Sequence, residues 1–374
     1  MTRATLLRPT LLPGLTRLWR DRHTLQLGLD STRAVLVEVA NPRAVLLLDL
    51  LDGTHSERDV LDRAHRLRVD PDDARTLLAA LRAAGLVVPA HTLLPANLAE
   101  PTRARLVDEA DALALGATEA TGTPAQALRR RRASRVVVTG AGRLGGPIAV
   151  ALAQAGVGHV DPDLRGLVRP ADLAGSGLLP DDVGRHTADA VVDAIARSAP
   201  DTLTGPVRRR RADLVVQVGA DRPAALLAAG YARRRQPHLL VALRDGVPVV
   251  GPLVRPPVGP CLNCLDLHRT DRDPGWAGLA AQLAATDPPS ACGVTTLLAA
   301  VAVATAEALA HLSGGPVETV GTAVEIVGAG RFRRRAWPPH HGCDCGRTGR
   351  WPPHRVPAGP HRSKGTVESV TMAG

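Results

Sequence analysis

A glycine-rich turn between a buried strand and a helix is the feature that most restricts the folds open to this chain. The apolar segment 135–139 predicts a strand, and Gly140, Gly142 and Gly145 follow it at the start of a helix. Gly140 permits a tight turn, Gly142 lets a phosphate approach the backbone, and Gly145 allows the helix to pack closely on the strand. The first turn of the helix then offers unpaired N–H groups to an anion. The turn therefore predicts a nucleotide-binding fold, of a kind that NAD, FAD and ATP binders share.

From residue 134 onwards, segments typical of strands alternate with segments typical of helices. The predicted strands are 135–139, 157–161, 213–218 and 239–243, and the predicted helices are 145–156, 187–198, 223–235 and 294–312. Such an alternation is the signature of a parallel sheet covered by helices. We therefore expect an α/β domain over 134–346 with a Rossmann-like, mostly parallel sheet.

The second predicted strand ends in the acidic sequence Asp161-Pro162-Asp163. It lies roughly 20 residues after the glycine turn, where dinucleotide-binding folds place the carboxylate that accepts hydrogen bonds from ribose hydroxyls. We predict that Asp161 and Asp163 bind the nucleotide, with a plain acidic turn as the alternative.

The cysteines fall into two close pairs and one single residue. The pairs are Cys261 with Cys264 and Cys343 with Cys345. Two such pairs supply the four soft ligands of a closed tetrahedral site, so we predict a structural zinc ion. His340 and His341 are substitute ligands in principle, and a redox Cys-x-x-Cys pair is the alternative. An odd cysteine count in this arrangement favours a reducing cytoplasm over a disulfide framework.

Residues 24–90 are predicted to form a small α+β domain with a winged-helix plan. Its expected elements are strands at 25–29 and 34–39, helices starting near 46, 57 and 71, and a strand at 86–88. A weak capping box of Ser56 and Asp59 precedes the second helix, and Asp70 and Pro71 begin the third.

Three further stretches surround the two predicted domains. They are an N-terminal extension at 1–23, a linker with one helix at 91–133 and a tail at 347–374. We expect the tail, rich in Pro, Gly and Ser, to be disordered.

The chain is basic, and its charge comes almost entirely from arginine. The net charge is +10, and Lys364 is the only lysine. The absence of a lysine near the glycine turn excludes Walker-type ATPases, and an aromatic content of 2% argues against base-stacking nucleic-acid modules. Arginine runs at 129–132 and 208–211 precede predicted strands, so we expect solvated loops there, with an anionic partner as the alternative.

The longest apolar segment, 294–312, contains three threonines together with Glu307 and His311. We predict that it is a buried core helix and does not span a membrane. The N-terminus lacks the apolar region of a signal peptide. These features predict a soluble, cytoplasmic protein.

In this order, the elements over roughly 134–346 resemble the ThiF/MoeB/HesA family of adenylyltransferases, which are related to ubiquitin-activating enzymes. The matching sequences are the glycine turn, DPD at 161–163, DDVGR at 181–185, Asp221 in DLVVQVGAD, the two cysteine pairs, and CGV at 292–294. The resemblance implies Mg-ATP as cofactor and adenylation of the C-terminal carboxylate of a small carrier protein or peptide. It also implies that a homodimer is possible.

The resemblance assigns roles to individual residues. The glycine turn would face the phosphates, Asp163 would hold the ribose, and Asp221 would hold magnesium or the phosphate region. Arg185 is a candidate catalytic residue. Cys292 is a nucleophile by its position, with a buried helix-start cysteine as the alternative.

This chain departs from the family at three positions near the phosphates. Gly175 stands at the family's phosphate-binding arginine and Thr187 at its lysine, while Arg143 replaces a glycine. Arg185 or Arg143 could supply the missing charge. Loss of two cations would weaken stabilisation of the departing pyrophosphate. The closing cysteine pair is also Cys-x-Cys instead of Cys-x-x-Cys.

The small domain resembles the PqqD-like peptide-recognition domain. The similar segments are LQLGLD, AVLVEV, LLDLLDG and VDPDDARTLLAALRAAGLV. The resemblance implies a leader peptide that adds a strand to a sheet edge. A DNA-binding winged helix is the alternative, although three aspartates in the third helix offset its arginines.

Three functions remain open from the sequence. The first is the adenylyltransferase, with the small domain presenting the substrate. The second is a catalytically degenerate member of the family that docks a leader peptide for a partner modifying enzyme. The third, a basic winged-helix nucleic-acid binder, is disfavoured by both resemblances.

Overall fold

The structure is a computed structural model that describes residues 8–30, 33–39, 41–116, 122–207, 211–219, 224–285, 291–328, 330–345 and 369–370. The chain divides into two compact units, Met1–Gln126 with His354–Gly374, and Ala127–Pro353. The tail that the sequence predicts to be disordered lies almost entirely outside the described residues. The predicted domain boundaries remain predictions.

The smaller unit combines short strands with three α-helices in its described residues. Its elements are β1 (Pro9–Leu11), β2 (Arg17–Trp19), β3 (Thr24–Leu27), β4 (Val35–Glu38), a 3-10 helix (Pro42–Leu50), α1 (Glu57–Arg66), α2 (Pro71–Ala83), β5 (Val87–Pro89) and α3 (Glu100–Leu115). A short 3-10 turn, Ala90–Thr92, follows β5. Strands β2, β3 and β4 form an antiparallel meander. The strand Ser369–Val370 pairs with β4 in parallel.

The predicted hairpin and two of the predicted helices are confirmed in this unit. In the hairpin Leu25 pairs with Val37, and both side chains belong to the same buried core as Leu77 and Leu81 of α2. The capping box of α1 is present, with the Ser56 Oγ accepting from the Asp59 N–H at 3.1 Å. The helix predicted near residue 46 is a 3-10 helix instead.

Two features of the small unit differ from the sequence expectations. The strand predicted at 86–88 pairs with β1, so the stretch 1–23 contributes strands. The stretch 91–133, expected to hold one helix, contains α3 and also α4 (Pro124–Ala133). Neither feature has a local signal, because β1 is a three-residue strand with a distant partner and α4 carries no apolar periodicity.

The larger unit is built on a mixed seven-stranded sheet. Its strands are β6 (Arg135–Ala141), β7 (His159–Arg165), β8 (Leu214–Val218), β9 (His238–Arg244), β10 (Val247–Val254), β11 (Thr322–Gly328) and β12 (Arg331–Ala336). Its helices are α5 (Gly145–Gln154), α6 (Thr187–Ser198), α7 (Ala224–Arg233), α8 (Leu262–Arg272), α9 (Trp276–Ala285) and α10 (Val294–Ser313). The spatial order of the strands is β12-β11-β10-β9-β8-β6-β7.

The predicted α/β class and Rossmann-like sheet are confirmed. Strands β7, β6, β8 and β9 are parallel, and the antiparallel strands β10, β11 and β12 extend the sheet. The chain adds β7 on one side of β6 and β8 on the other. This reversal creates a crevice at the carboxyl ends of β6 and β8, where open α/β sheets bind ligands.

Helix α10 is long and apolar enough to cross a membrane by length and composition alone, with a mean hydropathy of 1.5 in its most apolar window. Its residues Leu297, Ala300 and Ala304 are buried in the main core together with β-strand residues. The carboxylate of Glu307 accepts hydrogen bonds from the backbone N–H of Thr319 at 2.8 Å and from its hydroxyl at 2.6 Å. These contacts confirm α10 as a core helix.

The arginine run at 129–132 is not a solvated loop, which corrects the sequence expectation. These residues lie in α4, and Arg131 is only 4% exposed. The guanidinium of Arg130 donates to the Ser313 carbonyl at 2.5 Å, and that of Arg131 donates to the Ala155 carbonyl at 3.2 Å. Both carbonyls lie at or beside the C-terminal end of a helix, where the macrodipole favours a cation.

We predict that Gly158→Ala strongly destabilises the larger unit. A Cβ atom at this position would lie 1.9 Å from the carbonyl oxygen of Arg132, so the backbone would have to shift. The free energy of unfolding should fall by an amount at the upper end of the roughly 1–3 kcal/mol that overpacking costs. Urea-induced unfolding, followed by circular dichroism, measures the change. Gly205→Ala is the matched control, because a Cβ there meets no heavy atom within 4 Å; equal unfolding midpoints for the two variants would contradict the prediction.

Candidate functional site

The glycine turn connects β6 to α5. It lies at the switch point of the sheet, where successive strands are added on opposite sides of β6. Gly140 has φ +122°, and a Cβ atom on it would lie 2.0 Å from the carbonyl oxygen of Val218 in β8. A Cβ atom on Gly145 would lie 2.5 Å from the side chain of Leu164 in β7. Gly142 has φ +110°, and the space around its missing Cβ is open. Gly140 thus allows close approach of the strands, Gly145 allows close packing of α5, and the turn at Gly142 is open; binding of a phosphate there remains a prediction.

The N-terminus of α5 points at this open turn. Its N-cap residue, Leu144, provides no side-chain hydrogen bond to the first turn. A helix N-terminus without a side-chain cap leaves N–H groups and a partial positive charge for an anion. The arrangement therefore suits a phosphate group above Gly142.

Asp163 lies beside the glycine turn, at the carboxyl end of β7. It pairs in register with Thr139 of β6, and the Thr139 hydroxyl donates to its Oδ2 atom at 2.8 Å. The residue is exposed, so its carboxylate is held in place and accessible. Thr139 was not predicted from the sequence, although its position directly before the first glycine was a usable signal.

Asp161, the other predicted nucleotide ligand, makes a contact within the protein. Its carboxylate accepts a hydrogen bond from the backbone N–H of Val207 at 2.8 Å. Burial, the largest cause, raises the pKa of Asp161 despite that hydrogen bond. Its part in nucleotide binding remains a prediction.

Arg143 connects the glycine turn to two distant segments. Its guanidinium donates to the carbonyl of Cys292 at 2.9 Å and to that of Ala171 at 2.8 Å. The Nε atom lies 3.8 Å from the carboxylate of Asp172, and the side chain is 7% exposed. The arginine in the glycine turn is therefore clamped by its neighbours. Asp172 was not singled out from the sequence, because its partner lies 29 residues earlier in the numbering.

Cys292 lies just before α10, half-buried against the main core. Its thiol donates to the Gly293 carbonyl at 3.5 Å. Burial, the largest cause, raises the pKa of this thiol, and the charge of Arg143 opposes that effect only in part. A raised pKa reduces the thiolate fraction that a nucleophile needs, so a nucleophilic role remains only a prediction from position.

Gly175 and Thr187, where the resemblance predicts cations, carry no positive charge. Gly175 has φ +68°, and a Cβ on it would lie 2.4 Å from the side chain of Leu298 in α10. Thr187 begins α6, and its hydroxyl donates to the Gly166 carbonyl at 3.1 Å. A side chain at Gly175 would therefore need an unfavourable positive φ and a rearrangement of the Leu298 side chain.

Arg185, the predicted substitute cation, is held by two carboxylates. It donates to Asp182 at 2.5 Å and to Asp193 at 2.7 Å. These hydrogen bonds raise the pKa of Arg185 and fix its guanidinium. The role of Arg185 in catalysis stays a prediction. Asp221, the predicted magnesium or phosphate ligand, lies outside the described residues.

The four predicted metal-ligating cysteines meet at one point. Cys261 precedes α8 and Cys264 lies in its first turn, while Cys343 and Cys345 follow β12. The four sulfur atoms lie within 4.8 Å of one another. The Sγ–Sγ distances are 3.9 Å for Cys261–Cys264, 3.7 Å for Cys261–Cys343 and 3.2 Å for Cys264–Cys345. Zinc–sulfur bonds of about 2.3 Å in a tetrahedron place sulfurs about 3.8 Å apart, so the cluster suggests zinc.

His340 supports this cluster without joining it. Its Nδ1 atom accepts from the backbone N–H of Gly342 at 3.0 Å, and its Nε2 atom donates to Asp271 at 2.8 Å. The hydrogen bond from His340 lowers the pKa of Asp271. Both ring nitrogens are therefore engaged, and the histidine orients the turn that carries Cys343.

Comparisons with known proteins agree with this geometry. No protein-family model matches the chain. HesA of Nostoc sp. (strain PCC 7120) is 30% identical over 161 residues, which cover 39% of this chain and 63% of HesA. The match thus spans less than two thirds of that relative's length.

Solved structures with the same fold cover almost the whole chain. E. coli MccB in complex with MccA-N7isoASN has a TM-score of 0.62 at 15% identity, over 90% of this chain and 99% of MccB. E. coli MccB with ATP has a TM-score of 0.62 at 14% identity, over 90% and 99% of the two chains. PaaA has a TM-score of 0.61 at 15% identity, over 86% of this chain and 98% of PaaA.

The sheet order, the glycine turn, the four-cysteine cluster and these likenesses lead to one conclusion about the fold. The chain has the E1-type adenylyltransferase fold seen in MccB, preceded by a small N-terminal domain.

Proposed function

We propose that this protein is an adenylyltransferase that uses Mg-ATP to activate the C-terminal carboxylate of a peptide or small carrier protein. The observation that carries the proposal is the open glycine turn at the switch point of the sheet, beside the exposed and oriented carboxylate of Asp163. The same fold in MccB, solved with ATP and with the MccA peptide, supports it.

The proposed reaction exchanges one phosphoanhydride bond for an acyl phosphate bond. A carboxylate oxygen of the peptide attacks the α-phosphorus of ATP, the bond between the α- and β-phosphates breaks, and pyrophosphate leaves. The product is an acyl adenylate, from which AMP is a good leaving group. Magnesium would offset the negative charge of the phosphates.

The residues of this chain would bind and orient the reactants. The open turn at Gly142 and the N-terminus of α5 would receive the phosphates, since both offer backbone N–H groups without side-chain obstruction. Asp163, held by Thr139, would accept hydrogen bonds from the ribose hydroxyls. Arg143 would keep the turn, Ala171 and Cys292 in fixed relative positions.

A docking scaffold without ATP chemistry is the second candidate, and the cation positions favour it. Gly175 and Thr187 carry no positive charge, and Arg185 is engaged by Asp182 and Asp193. In this alternative the small N-terminal domain would present a leader peptide to a partner modifying enzyme. A nucleic-acid binder has less support, because Arg130 and Arg131 are used in contacts to helix ends. A cytoplasmic location and a homodimer are part of the proposal.

We predict that the protein binds Mg-ATP with micromolar affinity and that Asp163→Asn weakens this binding about 10- to 100-fold. A hydrogen bond to a charged group contributes roughly 1.5–3 kcal/mol, and losing that contribution corresponds to this decrease in affinity. Isothermal titration calorimetry of the purified full-length chain measures both affinities.

Asp189→Asn is the matched control for this titration. Asp189 is exposed in the first turn of α6, and the substitution changes the charge by the same amount. An equal loss of affinity in both variants would indicate an effect of charge alone. Absence of binding at millimolar ATP would remove the adenylyltransferase proposal and leave the docking scaffold.

We also propose that the four-cysteine cluster holds a structural zinc ion, and we predict that Cys264→Ser loses it. Cys264 is fully buried, so a hydroxyl there would leave three thiolates and a poor fourth ligand. Elemental analysis of purified protein should find stoichiometric zinc in the native chain and little in this variant, with a lower melting temperature. Cys292→Ser, outside the cluster, should keep the metal. A stably folded native protein free of zinc would contradict the assignment.

A further inference from the structure

A group of charged side chains lies on the face of the sheet that α8 covers. Its members, called the arginine cluster, are Arg244, Arg269, Arg333 and Arg335 with the carboxylates Asp266 and Glu325. None of these residues belongs to the glycine turn or to the four-cysteine cluster.

Strand register places these residues on one face. Ala242 in β9 pairs with Val249, which pairs with Glu325, which pairs with Arg333. Arg244 follows Ala242 by two residues and Arg335 follows Arg333 by two, so both share that face. Val249 packs with Leu265 of α8, whereas the alternate strand residues pack in the core that contains α10.

Two carboxylates neutralise part of the positive charge of the arginine cluster. Glu325 accepts from the Nε atoms of Arg333 and Arg335, both at 2.5 Å. Asp266 lies 3.3 Å from Arg269 and accepts from the indole N–H of Trp276 at 3.0 Å. The guanidinium of Arg269 also lies over the Trp276 ring, 4.8 Å from its centroid.

The positive charge exceeds the negative charge by two, because four guanidinium groups face two carboxylates. Arg244 is the member without a hydrogen-bonding partner among the residues that the structure describes. Its side chain is accessible from solvent. Neighbouring groups nevertheless desolvate the guanidinium, and this burial, followed by the charges of Arg269 and Arg335, lowers the pKa of Arg244 to about 10. A partly desolvated cation beside other cations is stabilised by an added anion.

The cluster lies at the edge of the sheet that carries the glycine turn. Arg244 is the last residue of β9, which runs parallel to β8 and β6. Two strand spacings separate β9 from β6, a distance of about 10 Å. An extended peptide spans this distance with about three residues.

We propose that the arginine cluster binds the carboxylate side chain of an acidic residue about three positions before the C-terminus of the peptide substrate. This placement of the peptide rests on the proposed function, in which its C-terminal carboxylate is adenylated at the glycine turn. Guanidinium groups match the geometry of a carboxylate. A nucleic-acid backbone would need a row of unpaired cations, whereas Arg269, Arg333 and Arg335 are already paired with carboxylates and Arg244 is the one guanidinium of the cluster that lacks a partner among the described residues.

The test compares two synthetic peptides that differ only in this side chain. Ala-Ala-Glu-Ala-Ala-Gly and Ala-Ala-Gln-Ala-Ala-Gly, each with a neutral N-terminal fluorophore and a free C-terminus, are titrated with the full-length protein and followed by fluorescence anisotropy. The native chain should bind the Glu peptide roughly tenfold more tightly than the Gln peptide. Equal affinities for the two peptides would overturn the proposal.

Variants locate the preference on the protein. Arg244→Gln should abolish the preference for the Glu peptide while binding of the Gln peptide stays unchanged, and Arg244→Lys should keep part of it. Arg334→Gln is the matched control, because Arg334 lies in the same strand as Arg335 but pairs with Glu318, and it removes the same charge. An equal loss of preference in Arg244→Gln and Arg334→Gln would overturn the site. Matching circular dichroism melting curves exclude misfolding as the cause.

Two further titrations separate this proposal from its alternatives. If Arg244→Gln weakens binding of a 20-base-pair DNA duplex as much as binding of the Glu peptide, the site recognises phosphates and the peptide proposal fails. Mg-ATP binding without any Glu preference would overturn the site and leave adenylation standing. A Glu preference that depends on Arg244, without ATP binding, would support the site and remove adenylation.

Discussion

The close approach of two backbones at the centre of the large sheet is the constraint on which the rest of the site depends. At Gly140 the backbone of β6 passes close to the Val218 carbonyl of β8. A Cβ atom on Gly140 would lie 2.0 Å from that carbonyl oxygen. This contact allows β6 to pair with β8 up to its final residues. It also sets the point from which the turn leads into α5. Any side chain at Gly140 would separate the strands and displace the phosphate-binding turn with them.

A second constraint comes from Arg143, which replaces a small residue in the turn. Its hydrogen bonds to Ala171 and Cys292 join segments that are 28 and 149 residues away in the chain. Arginine can make several such bonds at once because its guanidinium carries five N–H donors in a fixed plane. The same property explains Arg130 and Arg131, which bind carbonyls at or beside helix ends. In a chain with a single lysine, arginine thus serves both as a structural clamp and as the source of the charge in the arginine cluster.

The sequence predicted those parts of the molecule whose signals are local. Strands β6, β8 and β9 are continuous apolar runs, and α6 has a clear helical period, so their bounds could be predicted to within a few residues. The cysteine pairs could be assigned to one cluster because close spacing restricts the ligands that a metal can bind. The three antiparallel strands β10, β11 and β12 were not predicted, since β12 consists of exposed, mostly charged residues and its only order comes from pairing with β11.

Contacts that depend on strand register or on distant segments could not be predicted. The hydrogen bond from Thr139 to Asp163 requires the alignment of β6 with β7, and the arginine cluster requires β9, α8 and β12 together. The sequence already shows that Gly175 and Thr187 stand where the resemblance predicts cations. The structure adds that Gly175 packs against Leu298. It also shows Arg185 held by Asp182 and Asp193.

The most direct test of the central claim, that the glycine turn receives ATP, is amide hydrogen–deuterium exchange with and without a non-hydrolysable ATP analogue and magnesium. The account predicts slower exchange in the segment 140–146 and around Asp163, because bound phosphates and ribose would cover these amides and restrict their opening. Unchanged exchange in both segments at a saturating concentration of the analogue would contradict the account.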